Sequence, residues 1–266
     1  VGAGQFQLRR WGDPEKARSV ALLVHGLGAH SAWFEAIARL LTERGLVVFA
    51  YDQKGFGSRG SENVHSYMEW VDDLAAVVKI LRADHAGKPF FLMGNSMGAL
   101  VVMATIQMVK VDGIVIFSPG FEGYPATFTL PYKIRAILSS LLAPDRAVSL
   151  PYDVDLVTRD EGVRKWLRAD ELKKMAVPGR MLSELLKLSN RVIASLKSVG
   201  VPVLMFTAGV EKIVNNEVNL ALYARLQAPT KEHIHMHDSW HDLMFDPDLD
   251  QVADACVAWV NARSAV

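Results

Sequence analysis

The sequence has a single cysteine, Cys256, and no excess of charge of either sign among its 266 residues. One thiol cannot form an internal disulfide, and it excludes a zinc site built from several cysteines. Because Lys and Arg number 29 and Asp and Glu also number 29, we expect no broad charged surface for nucleic acid. Cys256 lies in the apolar run DACVAWV, which predicts a small core side chain rather than a reactive thiol.

The sequence also lacks an apolar leader and an uninterrupted membrane-spanning run. Its first residues, VGAGQFQLRRWGD, contain no signal-peptide core. Residues 89–107 carry no charge and have nearly the length of a membrane helix, but Gly94, Asn95 and Ser96 interrupt them. A buried strand that runs into a buried helix explains this segment better. We therefore expect a cytoplasmic protein that contacts a membrane, if at all, at its surface.

Short apolar runs alternate with longer amphipathic ones along most of the chain. The short apolar runs are typical of strands that are buried on both faces of a sheet. The amphipathic segments between these runs have helical periodicity. The alternation predicts a mostly parallel sheet that helices cover on both faces. QFQLRRW adds an antiparallel strand at the start. The five buried strands are SVALLVHG (19–26), LVVFAYD (46–52), PFFLMGNS (89–96), DGIVIFSPG (112–120) and PVLMFTAG (202–209).

One long segment, residues 121–200, interrupts this alternation. It contains no convincing sheet strand, but it has three helical patterns, over 131–144, 160–177 and 179–200. Eighty residues without a strand, between two good core strands, indicate an inserted helical cap. We therefore predict three parts: 1–120 as the first part of the core, 121–200 as the cap, and 201–266 as the second part of the core.

Ser96 lies between two glycines where a predicted strand turns into a predicted helix. The pattern Gly94-x-Ser96-x-Gly98 is that of a nucleophile elbow, in which a sharp strand-to-helix turn presents a serine hydroxyl. The glycines have a steric reason, because the helix and a neighbouring strand crowd both positions. The N-terminal amides of the helix also favour a developing negative charge. We interpret Ser96 as a nucleophile rather than as a packing serine.

A serine nucleophile needs a base, and the base needs an orienting acid. In the fold that carries a nucleophile elbow, these residues follow along the chain in the order serine, acid, histidine. PVLMFTAGVEK offers Glu211 just after a strand. The base should follow the last strand, where His241 lies in the loop before the final helix. Three other carboxylates lie near His241 in sequence and are the rivals for the acid: Asp238, Asp242 and Asp246. We favour Glu211, with a solvated loop charge as its alternative interpretation.

Three further histidines alternate with Ile234 and Met236, so one face of a strand carries His233, His235 and His237. Three histidines on one face can bind a metal ion, but an edge strand with one polar face is the simpler interpretation. We expect neither a metal ion nor an organic cofactor.

Acyl transfer also requires hydrogen-bond donors for the oxyanion of the tetrahedral intermediate. One donor is the amide of the residue after the nucleophile, Met97. The loop VHGLGAHS, in which Gly26 and Gly28 flank Leu27, provides the second, the amide of Leu27. We expect His25 to brace this loop through hydrogen bonds rather than to react.

Together these segments resemble the α/β-hydrolase superfamily, and in particular its monoacylglycerol lipase and lysophospholipase branch. HGLGAHSAWFEAIARLL is similar to the HGxGEHSxRY segment of that branch, YDQKGFGSRGSE to its DxxGHGxSxG loop, and GNSMGAL to its GHSMGG elbow. DLVTRDEGVRKWLRADEL resembles its cap, and PVLMFTAGVEKIV and HDSWHDLMFD resemble its acid and histidine loops. The resemblance covers about residues 5–262 and implies a serine ester hydrolase whose cap shapes an acyl-chain pocket.

The chain departs from the pattern of that branch at three places. Asn95 stands where histidine is usual beside the nucleophile, and Glu211 stands where aspartate is usual. A carboxylate that is one methylene longer can still hold the imidazole in the required tautomer, whereas Asn95 bears on the choice of substrate. The short N-terminus leaves open whether the first strand of the sheet is present.

These observations predict a serine carboxylic-ester hydrolase that acts through an acyl-enzyme on monoacylglycerols, lysophospholipids or similar acyl esters. The alternatives are a small-ester carboxylesterase, an acyltransferase or perhydrolase, and a ligand receptor with slow turnover. A dehalogenase is disfavoured because that chemistry places a carboxylate at position 96.

The first cap helix has an apolar stripe at helical spacing, namely Ile134, Ile137, Leu138, Leu141 and Leu142. Residues 121–200 contain 13 Lys or Arg and 9 Asp or Glu, a balance of +4, and the rest of the chain has −4. The stripe either packs onto the core and roofs the acyl pocket, or it contacts a lipid surface.

Overall fold

The computed structural model describes residues 2–3 and 6–264, and in that part of the chain an eight-stranded sheet organises the fold. The described residues form the strands β1 (Gly2–Ala3), β2 (Phe6–Trp11), β3 (Ser19–Val24), β4 (Leu46–Tyr51), β5 (Phe90–Asn95), β6 (Gly113–Phe117), β7 (Ala147–Ser149), β8 (Ala176–Pro178), β9 (Val203–Ala208) and β10 (Lys231–Met236), of which β7 and β8 lie outside this sheet. The sheet has the order β1-β2-β4-β3-β5-β6-β9-β10. From β4 to β10 all neighbouring strands are parallel, which confirms the predicted architecture.

The central strands are buried on both faces, as their continuous apolar sequences predict. Every residue of β3, β4, β5, β6 and β9 is buried. Successive side chains of a strand point to opposite faces; in β3, Val20 and Leu22 join one apolar cluster, whereas Ala21 and Leu23 join the other. Such a sheet needs a layer of helices on each face.

Helices supply both layers. The α-helices of the described residues are α1 (Glu35–Glu43), α2 (Met68–Asp84), α3 (Met97–Thr105), α4 (Leu130–Leu142), α5 (Glu161–Ala169), α6 (Gly179–Ser195), α7 (Asn216–Arg225) and α8 (Leu249–Ser264). Ile37 of α1 and Val252 of α8 pack on one face of the sheet. On the other face, α2, α3, α6 and α7 contribute Leu74, Leu100, Leu188 and Leu222. Cys256 is fully buried in α8, as predicted.

The N-terminal strands form the antiparallel edge of the sheet. β2 pairs antiparallel with β4, as predicted from QFQLRRW. The two-residue β1 pairs antiparallel with β2, so the first strand of the sheet is present, although it is very short.

The segment between β6 and β9 contributes no strand to the main sheet. It contains α4, α5 and α6, each within one of the predicted helical patterns. The pattern over 160–177 was wrong in its last part, because the backbone becomes extended at Asp170 and α5 ends at Ala169. Residues 176–178 instead form β8, which pairs antiparallel with β7, and this pair was not predicted. Three-residue strands are too short to show a period of two, which explains why the sequence pattern did not reveal them.

The stripe on α4 does not pack onto the core. No residue of α4 is buried; Ile137 is 53% exposed, and Leu141 and Leu142 are 73% and 81% exposed. The interpretation of the stripe as core is therefore wrong. In residues 2–3 and 6–264, no helix is both long and apolar enough to cross a membrane, and the charge-free run at 89–107 forms β5 and α3.

Candidate active site

Ser96 lies in the tight turn between β5 and α3, as the sequence predicts. Its backbone has φ 52° and ψ −115°, a conformation that is strained for a residue with a side chain. Both flanking glycines are sterically required, because a Cβ on Gly94 would lie 2.5 Å from the carbonyl oxygen of Gly98. A Cβ on Gly98 would lie 2.1 Å from the carbonyl oxygen of Val24 in β3. The helix and the neighbouring strand thus crowd these positions as expected.

Gly120, just after β6, is a third glycine that packs tightly against this turn, and the sequence reasoning missed it. A Cβ there would lie 3.3 Å from the amide nitrogen of Met97 and 3.4 Å from Ser96 Oγ. Its amide donates to the carbonyl oxygen of Ser96 over 3.1 Å. The absence of a side chain at Gly120 therefore leaves space beside the hydroxyl. Its place at the carboxyl end of β6, within FSPG, was the available signal.

His241 and Glu211 form the buried acid–imidazole pair that the sequence predicts. His241 Nδ1 lies 2.8 Å from Glu211 Oε2, and the two side chains are 5% and 3% exposed. Because a carboxylate only accepts hydrogen bonds, Nδ1 carries the proton and Nε2 is free to accept one. The other carboxylate oxygen of Glu211 accepts from the amides of Ile213 and Val214, over 2.8 and 3.2 Å, which fixes its orientation.

The electrostatics of His241 favour its protonated form. Burial acts to lower the pKa of His241, but the charge and hydrogen bond of Glu211, together with the charge of Asp242, raise it above its ordinary value of 6.5. His241 and Ser96 line the same cleft. Within residues 6–264, however, no hydrogen bond joins the His241 ring to Ser96 Oγ; such contacts often form only with substrate bound.

The three aspartates that compete with Glu211 in sequence do not bind the imidazole. Asp238 is exposed on the surface. Asp246 accepts hydrogen bonds from Thr158 and from backbone amides, and Asp242 accepts one from Asn95. In the part of the chain that the structure describes, Glu211 is the carboxylate that accepts a hydrogen bond from the His241 ring.

The two amides predicted to bind the oxyanion belong to Leu27 and Met97. Leu27 lines the cleft together with Ser96, and the Met97 amide starts α3 directly behind the serine. Among the described residues, neither amide donates a hydrogen bond to another protein group, so both remain available.

Hydrogen bonds hold the loop that carries Leu27. His25 Nε2 accepts from the amide of Gln53 over 3.0 Å, and its Nδ1 donates to the carbonyl oxygen of Gly26 over 2.9 Å. Burial lowers the pKa of His25 to about 4, so its ring is neutral and braces the loop as expected. On the other side, the Lys174 amide donates to the carbonyl oxygen of Gly28 over 2.8 Å, which ties the loop to the inserted segment.

The histidine-rich strand β10 lies at the edge of the sheet. His233 Nε2 and His235 Nδ1 lie 2.8 and 2.9 Å from the hydroxyl oxygen of Thr207, and His237 packs against the His235 ring. In residues 2–3 and 6–264, no group of three or more His, Cys, Asp or Glu side chains is arranged to hold a metal ion. The arrangement fits the polar face of an edge strand.

The cleft beside Ser96 holds about 360 Å³ of space, including its open mouth. One wall comes from the core, through Leu27, Ala29 and Trp33. The inserted segment supplies the opposite wall, which consists of Tyr152, Val154, Val157 and Met175. The cleft therefore combines a largely apolar lining with a few polar groups around Ser96, a typical composition for a small-molecule site.

Comparison with known proteins shows the family. The model of the family described as serine aminopeptidase S33 matches residues 15–248. The monoacylglycerol lipase of Mycolicibacterium smegmatis is 24% identical over 98% of this chain and 94% of its own length. Human monoglyceride lipase is 25% identical over 98% of this chain and 89% of its own length. A crystal structure of a soluble variant of Saccharomyces cerevisiae monoglyceride lipase in complex with a substrate analogue matches with a TM-score of 0.89, at 18% identity over 100% of this chain and 94% of that one.

The match to the family model covers most of the chain. The chain is similar to the monoacylglycerol lipases, and it is a carboxylic ester hydrolase with the α/β-hydrolase fold. It therefore belongs to the serine aminopeptidase S33 family.

Proposed function

We propose that the protein hydrolyses acyl esters through an acyl-enzyme on Ser96, with His241 as general base and Glu211 as its orienting acid. The observation that carries this proposal is the buried 2.8 Å contact between His241 Nδ1 and Glu211 Oε2 in the cleft that Ser96 also lines. A serine at a strained elbow, a neutral imidazole nitrogen and a buried carboxylate are the three parts that this chemistry requires.

In the first half of the reaction, His241 Nε2 takes the proton of Ser96 as Oγ attacks the ester carbonyl carbon. The tetrahedral intermediate carries a negative charge on the former carbonyl oxygen, which the amides of Leu27 and Met97 stabilise. The protonated His241 then gives its proton to the departing alcohol, and the acyl group stays on Ser96. Glu211 stabilises the imidazolium cation throughout.

In the second half, His241 takes a proton from water, which attacks the acyl-enzyme carbonyl. The same amides stabilise the second tetrahedral intermediate. His241 returns the proton to Ser96 Oγ as the carboxylic acid leaves. Every proton is carried by His241, so the cycle needs neither a metal ion nor an organic cofactor.

For the substrate, we propose monoacylglycerols, lysophospholipids or similar acyl esters, and we propose that residues 121–200 act as the cap over the acyl chain. Support comes from the apolar residues that this segment contributes to the lining of the cleft, among them Val154, Val157 and Met175. The similarity to monoacylglycerol lipases over nearly the whole chain supports the same substrate class.

We further propose that α4 contacts a lipid surface when the enzyme collects substrate. Its exposed apolar stripe is flanked by Lys133 and Arg135, both exposed, and α4 itself contains no acidic residue. An apolar helical face with cations beside it is suited to the headgroup boundary of a membrane. The positive net charge of residues 121–200 also favours contact with a lipid surface.

Lysine substitutions on the stripe test this contact. Because Ile137 and Leu141 are exposed, Ile137→Lys or Leu141→Lys should leave the melting temperature and the hydrolysis of a soluble short-chain ester unchanged. Activity on monoacylglycerol in vesicles should fall, because the stripe can no longer enter the lipid. Leu220→Lys, at a position that is 42% exposed on α7, is the matched control and should change neither activity. Equal losses on both substrates would contradict the lipid contact.

An ester panel tests the proposed reaction and its alternatives. p-Nitrophenyl esters from short to long acyl chains are compared with monoacylglycerols and lysophospholipids. The proposal expects continuous turnover, with the highest kcat/KM on acyl esters of the last two classes. Highest activity on short esters alone would indicate a small-ester carboxylesterase. A single slow turnover with retained product would indicate a receptor, and preferred transfer to alcohol or peroxide would indicate an acyltransferase or perhydrolase.

A further inference from the structure

Asp246, one of the aspartates near His241 in sequence, is a buried carboxylate that has no part in the proposed reaction. Its side chain is fully buried, and burial of a carboxylate is costly unless hydrogen bonds replace those that water provides. Three donors replace them here. Asp246 accepts from the hydroxyl of Thr158, from the amide of Arg159 over 2.9 Å and from the amide of Trp240. A buried carboxylate with three such donors holds the segments that carry them together.

The two carboxylate oxygens of Asp246 bind different parts of the molecule. Oδ1 accepts from Thr158 and Arg159, which belong to the inserted segment. Oδ2 accepts from the amide of Trp240, the residue directly before the base His241. The guanidinium of Arg159 adds to this contact, because its Nε lies 4.0 Å from Oδ2. Asp246 therefore ties the inserted segment to the backbone beside the base.

The indole of Trp240 makes a second connection to the inserted segment. The Nζ of Lys212 lies 4.4 Å from the centre of its ring, and the guanidinium carbon of Arg164 lies 4.7 Å from it. Both distances are within the range of cation–π attraction. Lys212 directly follows the acid Glu211, and Arg164 belongs to α5 of the inserted segment. Trp240 therefore joins the neighbours of the acid and of the base to that segment.

The residue after the base is bound to the inserted segment as well. The amide of Asp242 donates to the carbonyl oxygen of Val157 over 2.8 Å, so both chain neighbours of His241 are held by this segment. His241 and Ser96 line the same cleft, but among the described residues no hydrogen bond joins the His241 ring to Ser96 Oγ. A displacement of about 1 Å in an active site can lower the rate by about 10². The place of the backbone at residues 240–242 therefore decides how well Nε2 reaches the hydroxyl.

We propose that Asp246 and Trp240 are positioning residues, through which the inserted segment holds the base His241 within reach of Ser96. They act through the backbone and ring contacts described above and not on the substrate itself. This inference rests on the proposed triad, and it gives the inserted segment a task beyond that of covering the acyl chain. Contacts that only stabilise the fold affect the melting temperature, whereas contacts that position the base also affect kcat of the folded enzyme.

Two arginines of α5 provide a matched pair of variants that tests the contact with the indole. Arg164→Gln removes the cation from the ring of Trp240, and Arg164→Lys keeps a cation there. Arg168 pairs with Glu161, as Arg164 does, but within the described residues it lies over no aromatic ring. We expect kcat for a soluble short-chain ester to fall about fivefold in Arg164→Gln, the factor that one cation–π contact provides. It should recover at least in part in Arg164→Lys and stay unchanged in Arg168→Gln.

Asp246→Asn tests the buried contact. An amide has one accepting oxygen in place of two, so either the inserted segment or the amide of Trp240 loses its hydrogen bond. We expect kcat of the folded variant to fall by about tenfold to a hundredfold, with KM within about twofold of its usual value. The inflection in the pH profile of kcat/KM should not move, because the contact of His241 with Glu211 is retained.

An unchanged kcat in folded Asp246→Asn or in Arg164→Gln would overturn the link that the variant breaks and leave its contacts a purely structural role. An equal fall in Arg168→Gln, a rise in KM alone, or an inflection that moves to lower pH would also overturn the proposal, because none of these results reports the position of the base. If Asp246→Asn does not fold, the variants of Arg164 and Arg168 decide. Labelling of Ser96 in the unmodified enzyme by an organophosphonate tests the proposed triad separately, so failure of the triad is recognised independently.

Discussion

Replacement of Glu211 by glutamine tests the acid of the proposed triad, because the change keeps the shape of the side chain and removes its charge. The contact with His241 is 2.8 Å long and almost fully buried, so water screens it little. At an effective dielectric constant of about 20 and about 4 Å between charge centres, the attraction to an imidazolium is about 4 kcal/mol. Its loss in the transition state corresponds to a fall of about three powers of ten in kcat.

Wrong tautomers of His241 add to this loss, because a glutamine amide can donate to Nδ1 instead of accepting from it. The equivalent change in serine proteases costs about 10⁴ in kcat, so we expect a fall of about 10³ to 10⁴ in Glu211→Gln. The assay is steady-state hydrolysis of a soluble short-chain ester, which does not depend on any contact of α4 with lipid.

The pH dependence of kcat/KM provides a second test of Glu211→Gln. The base must be neutral to act, and Glu211 holds the pKa of His241 above 6.5, so kcat/KM should rise with pH through that raised value. In Glu211→Gln, the negative charge of Glu211 no longer opposes the effect of burial, which lowers the pKa of His241. The inflection of the pH profile of kcat/KM should therefore move to lower pH. The raised pKa also means that protonation of His241 stabilises the fold at low pH, and this contribution is lost as pH rises through the raised pKa.

Two outcomes would refute the assignment of Glu211. One is a kcat near that of the unmodified enzyme with an unchanged inflection. The other is an active Glu211→Gln beside an inactive Asp238→Asn or Asp242→Asn, which would identify a different acid. Asp238→Asn is the matched control, because Asp238 is an exposed carboxylate in the histidine loop, and it should leave kcat unchanged.

Two further predictions concern the elbow and the histidine-rich strand. Gly98→Ala places a Cβ 2.1 Å from a carbonyl oxygen of β3 and should lower the free energy of unfolding by about 1–3 kcal/mol or more, which is measured as a fall in the melting temperature. The control is Gly200→Ala, where no atom lies within 4 Å of the added Cβ. Equal melting temperatures of the two variants would contradict the steric argument. EDTA should leave ester hydrolysis unchanged, whereas a loss that zinc restores would favour a metal site at His233, His235 and His237.

Much of the framework follows from local sequence patterns. Continuous apolar runs predicted the buried strands, and the two glycines around Ser96 predicted a turn too tight for a Cβ, which the distances at Gly94 and Gly98 confirm. The order of motifs along the chain was sufficient to predict that His241 and Glu211 meet, since the carboxyl ends of parallel strands converge at one edge of a sheet.

Other features depend on contacts between distant segments, and no local pattern encodes them. Asn95 and Asp242 are 147 positions apart, so their hydrogen bond is visible only in three dimensions. An apolar stripe has the same periodicity whether it packs on a core or faces solvent, and only the exposure of α4 distinguishes the two. The β7–β8 pair is likewise too short to leave a pattern.

The measurement that tests the central claim most directly is mass spectrometry of the protein after treatment with an organophosphonate. The account predicts one covalent adduct, on Ser96, with loss of ester hydrolysis in proportion to labelling, and no adduct in Ser96→Ala, whose kcat should be lower by about four or more powers of ten. An adduct on another serine, or an active Ser96→Ala enzyme, would contradict it.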